Sequence, residues 1–316
     1  MAEPLVSAIV PVYNAERFLA QALDSALAQT LREIEIVVVD DGSSDGSGAI
    51  ADRYANQYPG IVSVIHQSNE GMCHARNTAL AAARGTYFAL LDADDVWLPH
   101  HLADSVAELE RHRDVVLVHA DVERIDLEGN SLGRSQRYWD RIGSDAFVAL
   151  YLRHEHVCCP TAVFRRDAID CVGDFDVQFN RLGCEDRDLW LRLTRVARIV
   201  FINDVHARYR LHGGNWSSNF SKMLEARIRL VDKYTDTVHG RPLRRRALAA
   251  AHLNIGDELV DAARRGAAFG AYARAFGLWP IEHKALRGML RCLVKPQSRL
   301  SRREEELRRA INVVQP

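Results

Sequence analysis

The chain has 316 residues, of which 47% are hydrophobic and 26% charged, a balance that supports one large core or two smaller ones and excludes a disordered or fibrous protein. The formal net charge of -1 gives no bulk attraction to a polyanion, so nucleic acid is not an expected partner. That charge is uneven. Residues 220–316 carry 20 Lys and Arg against 10 Asp and Glu, or +10, which leaves -11 for residues 1–219. The step suggests two regions, 1–219 and a basic 220–316.

Six cysteines, Cys73, Cys158, Cys159, Cys171, Cys184 and Cys292, show neither zinc spacing nor a C-x-x-C pair, and free thiols in a reducing compartment are the economical reading. The opening MAEPLVSAIVPVYN lacks a basic segment and a cleavage site. No apolar run approaches the roughly 18 residues of a spanning helix. A cytoplasmic protein is expected.

In chain order, strand and helix alternate. The apolar run 5–13 reads as a strand and 15–29 has helical spacing; 34–39 is a second strand, and Asp45 or Ser47 is placed to cap a helix over 49–58. A third strand spans 61–65, a third helix 71–85 closes on Gly85, and a fourth strand runs over 86–92. Continuous apolar strands between helices predict an α/β fold with a mostly parallel sheet covered on both faces. Ligands of such sheets sit beyond the carboxyl ends of the strands. Polar clusters stand at those ends: Tyr13 and Asn14, Asp40 and Asp41, and Asp92, Asp94 and Asp95.

The order then changes. A helix is predicted over 98–110, strands over 115–125 and 131–138 around a turn at Glu128-Gly129-Asn130, a short strand over 162–165, a helix over 184–196, and two extended segments over 198–202 and 205–212. Beyond Ser221 the pattern is helical, punctuated at Gly240-Arg241-Pro242, Trp279-Pro280 and Lys295-Pro296.

Three carboxylates within four positions, Asp92, Asp94 and Asp95, repel one another unless something positive stands between them. A hard divalent cation, Mg2+ or Mn2+, with a phosphate behind it answers that need, and surface capping is the competing reading. VDDGSSDGS lacks the lysine of a Walker loop and is either a plain strand-to-helix connection or a carboxylate acceptor for a base or ribose. GCEDRDLW sets Glu185, Asp186 and Asp188 at a helix start, where the macrodipole favours them, and one of them facing a cleft is placed to act as a general base. YRLHGGNWSS joins Arg210 and His212 to a Gly-Gly hinge, a structural pair or one that meets a metal or diphosphate.

Taken together, VSAIVPVYNAERFLAQALDSALAQT, EIEIVVVDDGSSDGS, NEGMCHARNTALAAARGTYFALLDADDVW and GCEDRDLWLRL, in this order over residues 5–217, resemble the family 2 glycosyltransferases of the GT-A fold. The resemblance implies inverting transfer from a nucleotide-activated sugar with Mg2+ or Mn2+ on the diphosphate. By position, Pro11, Tyr13, Asn14, Asp40, Asp41, Arg76, Asn77, Asp92, Ala93, Asp94 and Arg210 are then expected on the nucleotide donor, with Tyr13 stacking on the base and Asp41 hydrogen-bonding it. Asp94, Asp95 and His212 are the expected metal ligands, Asp186 the general base and Glu185 its supporting acid. Arg187 stands where relatives often carry an aromatic residue, which leaves acceptor contacts there open. A UDP-sugar is the favoured donor and a dTDP-sugar the second, since a carboxylate suits the N3–H of uracil or thymine. The acceptor is expected to be a glycan or a lipid-linked molecule in cell-surface polysaccharide or glycoconjugate synthesis.

The rival classes are a sugar-phosphate nucleotidyltransferase, whose Gly/Arg/Lys-rich loop is not seen, a glycoside hydrolase, which needs no nucleotide pocket, and an inactive descendant, which would be expected to lose the acids kept here. The basic 220–316 region reads as a helical packing domain or as a peripheral contact with an anionic membrane at the inner face.

Overall fold

Alternate residues of a strand face opposite sides of its sheet, so strands buried along their whole length demand cover on both. In the computed structural model, which describes residues 3–135, 146–153, 157–235 and 241–293, β1 (Val6–Val12), β2 (Ile34–Asp40), β3 (Val62–His66) and β4 (Tyr87–Leu90) form the parallel half of a nine-stranded sheet. Val6, Ala8, Val10 and Val12 of β1 enter one core with α1 (Leu19–Leu27), α2 (Ser47–Gln57) and α4 (His101–Arg111). Ile9 of β1 and Val37 and Val39 of β2 enter the other, under α3 (Met72–Ala82), α5 (Ala146–Arg153), α6 (Arg166–Val172), α7 (Glu185–Leu193) and α8 (Phe220–Lys233).

Past β4 the sheet is mixed. β5 (Val96–Trp97), β6 (Val115–Ile125), β7 (Ser131–Arg134), β8 (Val163–Arg165) and β9 (Arg198–Arg210) complete the order β3-β2-β1-β4-β8-β6-β9-β5, with β7 on β6. β8 runs antiparallel to β4 and β6, β6 is parallel to β9, and β5 is antiparallel to β9. The two segments expected over 198–202 and 205–212 are one strand: Asn203 and Asp204 are absorbed where the register against β6 shifts at Asp121. α5 and α6 were not legible, the first because AFVALYLR is apolar throughout and the second because it lasts only seven residues. The end of the strand expected over 131–138 and the punctuation at Gly240 and Lys295-Pro296 lie outside the described residues.

The charge step near residue 220 does not coincide with a break in packing. Ala226, Leu230 and Val231 of α8 and Ala247 and Leu248 of α9 (Arg241–Asp261) share a core with Leu189, Trp190 and Leu191 of α7. A third cluster begins at Leu253 and joins α9 to α10 (Arg265–Leu278) and α11 (His283–Leu293) around Tyr272. α8 is also fastened by charge. Asp188, fully buried on α7, accepts from Tyr234 Oη at 2.8 Å, from Arg192 Nε at 2.9 Å and from Lys233 Nζ.

Removing one member of a buried ion pair strands its partners and costs about 3–5 kcal/mol. Asp188→Asn should therefore lower the stability measured by urea unfolding by that amount. A variant as stable as the parent would mean that α8 is not tied to the core by this carboxylate.

Candidate active site

The ends of β1 and β2 lie side by side, since Val12 is in register with Asp40. Tyr13 follows β1 and is 54% exposed, a large ring open to a ligand. Asn14 behind it adopts a left-handed backbone, φ 50. Its backbone N–H donates to Ser43 Oγ and its Oδ1 accepts from Ser44 N at 2.8 Å, which ties the β1 loop to the β2 loop. Pro11 is buried in β1. Asp40 accepts from Ser43 N and pairs with His66. Asp41 is buried, its Oδ1 taking Gln67 Nε2 and Glu70 N and its Oδ2 taking Gly71 N, so it organises the loop into α3.

Arg76 of α3 is the centre of the acidic cluster. Its Nη2 reaches Asp92 Oδ1 and its Nη1 reaches Glu185 Oε1, both at 2.7 Å, and its face covers the Phe175 ring. The Arg76 side chain is 3% exposed and forms a buried tie between two acidic segments. The amide of Asn77 donates to Phe175 O and accepts from Phe175 N, both at 2.9 Å, which fixes its orientation.

Arg210 is also structural, for its buried guanidinium donates to the carbonyls of Asp94, Asp126 and Leu127 and to Gln21 Oε1. Asp95 is sealed, with Oδ1 accepting from Arg210 N and Oδ2 without a hydrogen-bond partner. Asp95, expected in the metal set, is thus 0% exposed with one carboxylate oxygen unpaired. Asp94, one residue earlier, is partly exposed, and its Oδ2 lies 2.8 Å from His212 Nε2. Ala93 between Asp92 and Asp94 is buried and keeps the turn small.

Asp186 has a different setting from Glu185. It is partly exposed, and Arg187 N donates to its Oδ1 at 2.6 Å at the start of α7. Arg187 itself is buried. Gly183, at φ +99, precedes the helix, and a Cβ there would stand 2.9 Å from Met223 Sδ and 3.1 Å from Trp216 Nε1. Trp216 is 45% exposed against this turn. Neither it nor Asn215, whose Nδ2 is shared between Arg210 O at 3.1 Å and Asp94 Oδ2 at 3.4 Å, was singled out from sequence. Their only signal was the polar, Gly-rich GGNWSS loop beside His212.

Residues 7–173 match the family described as Glycosyl transferase family 2. The chain belongs to that family. It is a glycosyltransferase with the GT-A fold. An uncharacterized glycosyltransferase of a Nostoc species is 33% identical over 214 residues, covering 66% of each chain, so this chain spans about two thirds of that relative's length. Among solved structures, the mannosyltransferase of Pyrobaculum calidifontis in complex with GDP-Man and Mn2+ is similar with a TM-score of 0.64 at 22% identity, covering 94% of this chain and 82% of that one. S. aureus TarS 1-349 in complex with UDP-GlcNAc is similar with a TM-score of 0.58 at 19% identity, covering 89% and 91%. At these identities the solved structures speak for the fold.

The glycosyltransferase site has the chemistry to hold a divalent cation. Burial holds the Asp92 carboxyl above the usual range and Asp95 well above it, Asp94 adding to both, although Arg76 opposes the shift at Asp92. Ionising these crowded, buried carboxyls is costly, and a cation beside them would offset that cost. Asp94 and His212 are the accessible oxygen and nitrogen donors there, with Asp92 alongside, a set that suits Mg2+ or Mn2+.

Burial acts on Glu185 as well. Burial pushes its carboxyl up to about 7; Arg76 opposes the rise and Asp186 adds to it. The folded state then holds a proton that the unfolded chain releases near its ordinary value. That contribution is full below about pH 4.5 and is lost as pH rises to about 7, a change of at most about 3 kcal/mol. The metal-free enzyme should lose stability relative to Glu185→Gln across this window, read from urea midpoints at pH 5 and pH 8. The opposite trend would mean that the Arg76 pair keeps Glu185 ionised throughout.

Proposed function

We propose that this enzyme is an inverting, metal-assisted glycosyltransferase that moves a sugar from a nucleotide-diphospho-sugar to a hydroxyl of a glycan or lipid-linked acceptor. The observation that carries this reading is the single guanidinium of Arg76, which draws Asp92 and Glu185 together and so sets the accessible Asp94–His212 pair beside the accessible Asp186. A donor diphosphate and an acceptor hydroxyl need those two groups on one cleft. That the solved relatives carry GDP-Man or UDP-GlcNAc supports a nucleotide-sugar donor here.

Asp94 and His212 hold the cation, which when bound neutralises charge on the departing diphosphate. Tyr13 offers its exposed ring to the base, and Asp41 Oδ2, with one N–H donor against two on Oδ1, retains a lone pair for an N3–H. This favours a uridine donor, with thymidine second. Asp186 takes the proton of the acceptor hydroxyl as its oxygen attacks the anomeric carbon opposite the leaving group, and Glu185 and Arg76 fix the helix start that carries it. A single displacement inverts the configuration. Trp216 supplies a flat apolar face on which a sugar ring can rest.

Removing the base should lower the transfer rate about 10²- to 10⁴-fold. Asp186→Asn is therefore expected to do so while calorimetry finds its donor affinity unchanged, and Asp94→Ala should weaken donor binding as EDTA does. Full transfer activity in Asp186→Asn would remove it from the mechanism.

The acceptor side includes a proposed peripheral contact with an anionic membrane. Leu286, Leu290 and Leu293 are exposed at helical spacing on α11 beside Lys284, Arg287 and Arg291. No described helix is long and apolar enough to cross a membrane. Binding to acidic vesicles should fall steeply between low and physiological salt. Absence of co-sedimentation at low salt would leave α11 as a packing element alone.

A further inference from the structure

Three histidines, His100, His101 and His206, gather where the start of α4 meets β9. His100 precedes α4 and Asp104 lies in its first turn, four residues apart and hence on one helix face. His206 comes from β9 and is fully buried. One ring nitrogen or carboxylate oxygen from each of His100, Asp104 and His206 lies within 4.8 Å of the others.

The hydrogen bonding of this group is incomplete in a directed way. His206 Nδ1 lies 3.3 Å from His101 Nδ1, so one of the two must donate and the other accept. His206 Nε2 is buried and has no hydrogen-bond partner. The nearest carboxylate oxygen, Asp104 Oδ2, is 3.9 Å away, too far for a hydrogen bond. Two ligands bound at 2.0–2.1 Å to one tetrahedral ion stand about 3.3 Å apart, so a slight contraction around an ion would close this gap. His100 is oriented from behind: its Nε2–H donates to Val205 O at 3.2 Å, which leaves Nδ1 as its lone-pair nitrogen. Anchoring one ring N–H on a backbone carbonyl while the other nitrogen is free to bind is how ligating histidines are held.

We infer that His100, Asp104 and His206 form a structural site for a transition metal of the Zn2+ class, distinct from the Mg2+ or Mn2+ site of the donor cleft. Two imidazoles and one carboxylate suit Zn2+, whereas Mg2+ prefers oxygen ligands alone. Burial lowers the proton affinity of His206 to a pKa of about 4 and holds His101 well below its usual range, so both rings are neutral at pH 7 and ready to bind or to support a ligand. A fourth position is left for water. His101 acts through His206 and is a positioning residue.

The site has a mechanical consequence. Leu98 N donates to His206 O at 2.9 Å, and Trp97 of β5 pairs with Ala207 of β9. β5 follows Asp94 and Asp95 in the chain, and β9 leads into Arg210 and His212. An ion joining α4 to β9 would clamp together the two segments that bring Asp94 and His212 to the donor cleft.

Because Zn2+ can also enter the donor site, the test uses the full chain carrying Asp94→Asn, stripped with a chelator and dialysed, then titrated calorimetrically with Zn2+ alone. One equivalent is expected, retained in excess Mg2+, together with a rise in melting temperature. Adding His100→Gln or Asp104→Asn, both away from the core, should weaken Zn2+ binding at least about 100-fold, the upper end of what losing even a supporting partner costs. Co2+ in place of Zn2+ should give the visible absorption of a four-coordinate site, lost on adding Asp104→Asn. No bound Zn2+, or an equivalent that survives both added substitutions, overturns the inference.

Discussion

One buried guanidinium is the interaction on which the site depends. Arg76 comes from α3, Asp92 from the turn after β4 and Glu185 from the first residue of α7, 109 positions away in sequence from Arg76. Without a cation between them the two carboxylates would repel across a desolvated gap. With it, the donor side and the acceptor side of the cleft are held at a fixed separation. The arrangement works only because Arg76 cannot leave: Phe175 covers its face, and Asn77, one residue on, grips the backbone of Phe175 from both directions. A buried pair of this kind contributes little net stability compared with an apolar filling, so its value lies in the geometry it specifies.

The same division runs through the rest of the site. Arg210, Asp95 and Asn77 are all polar and each is bonded to loop backbone or neighbouring side chains. Tyr13, Asp94, His212, Asp186 and Trp216 keep some of their surface open. The bonded set forms a frame and the open set a reactive face. Arg76 holds two carboxylates and the Arg210 guanidinium holds the backbone at Asp94, so buried cations fix the turns that carry the open residues.

Much of this frame was legible in the sequence. Strands buried on both faces write themselves as unbroken apolar runs, and the polar clusters fall at the strand ends because the chain leaves the core there. Burial of individual polar residues was not legible. Asp94 and Asp95 are adjacent and chemically identical, yet a turn directs them to opposite sides, one toward His212 and the other under Arg210. Spacing cannot separate them. Nor can it find the partner of Arg76, which lies 109 positions away at the start of α7, or the exposure of Trp216, which depends on Gly183 leaving room for its ring. α5 escaped notice for the opposite reason: it is apolar on all sides and carries no period to read.

The position of the family match within the chain bears on what can vary. Residues 7–173 include Tyr13, Asp41, Arg76, Asp92 and Asp94, which make up most of the proposed donor side. Asp186, His212 and Trp216 lie beyond it, on α7 and on the loop that enters α8. The wall next to Asp186 is built from Gly183, Trp216 and Met223, the last of them on α8, whose far end is fastened by Asp188 to the same short helix. The C-terminal helices thus do two things at once. They complete the hydrophobic core of the sheet, and they shape the wall beside Asp186, where the acceptor is proposed to enter. A change in α8 can reach that wall without altering Arg76 and its two carboxylates, so on this proposal donor chemistry and acceptor choice are set by different parts of one packed unit.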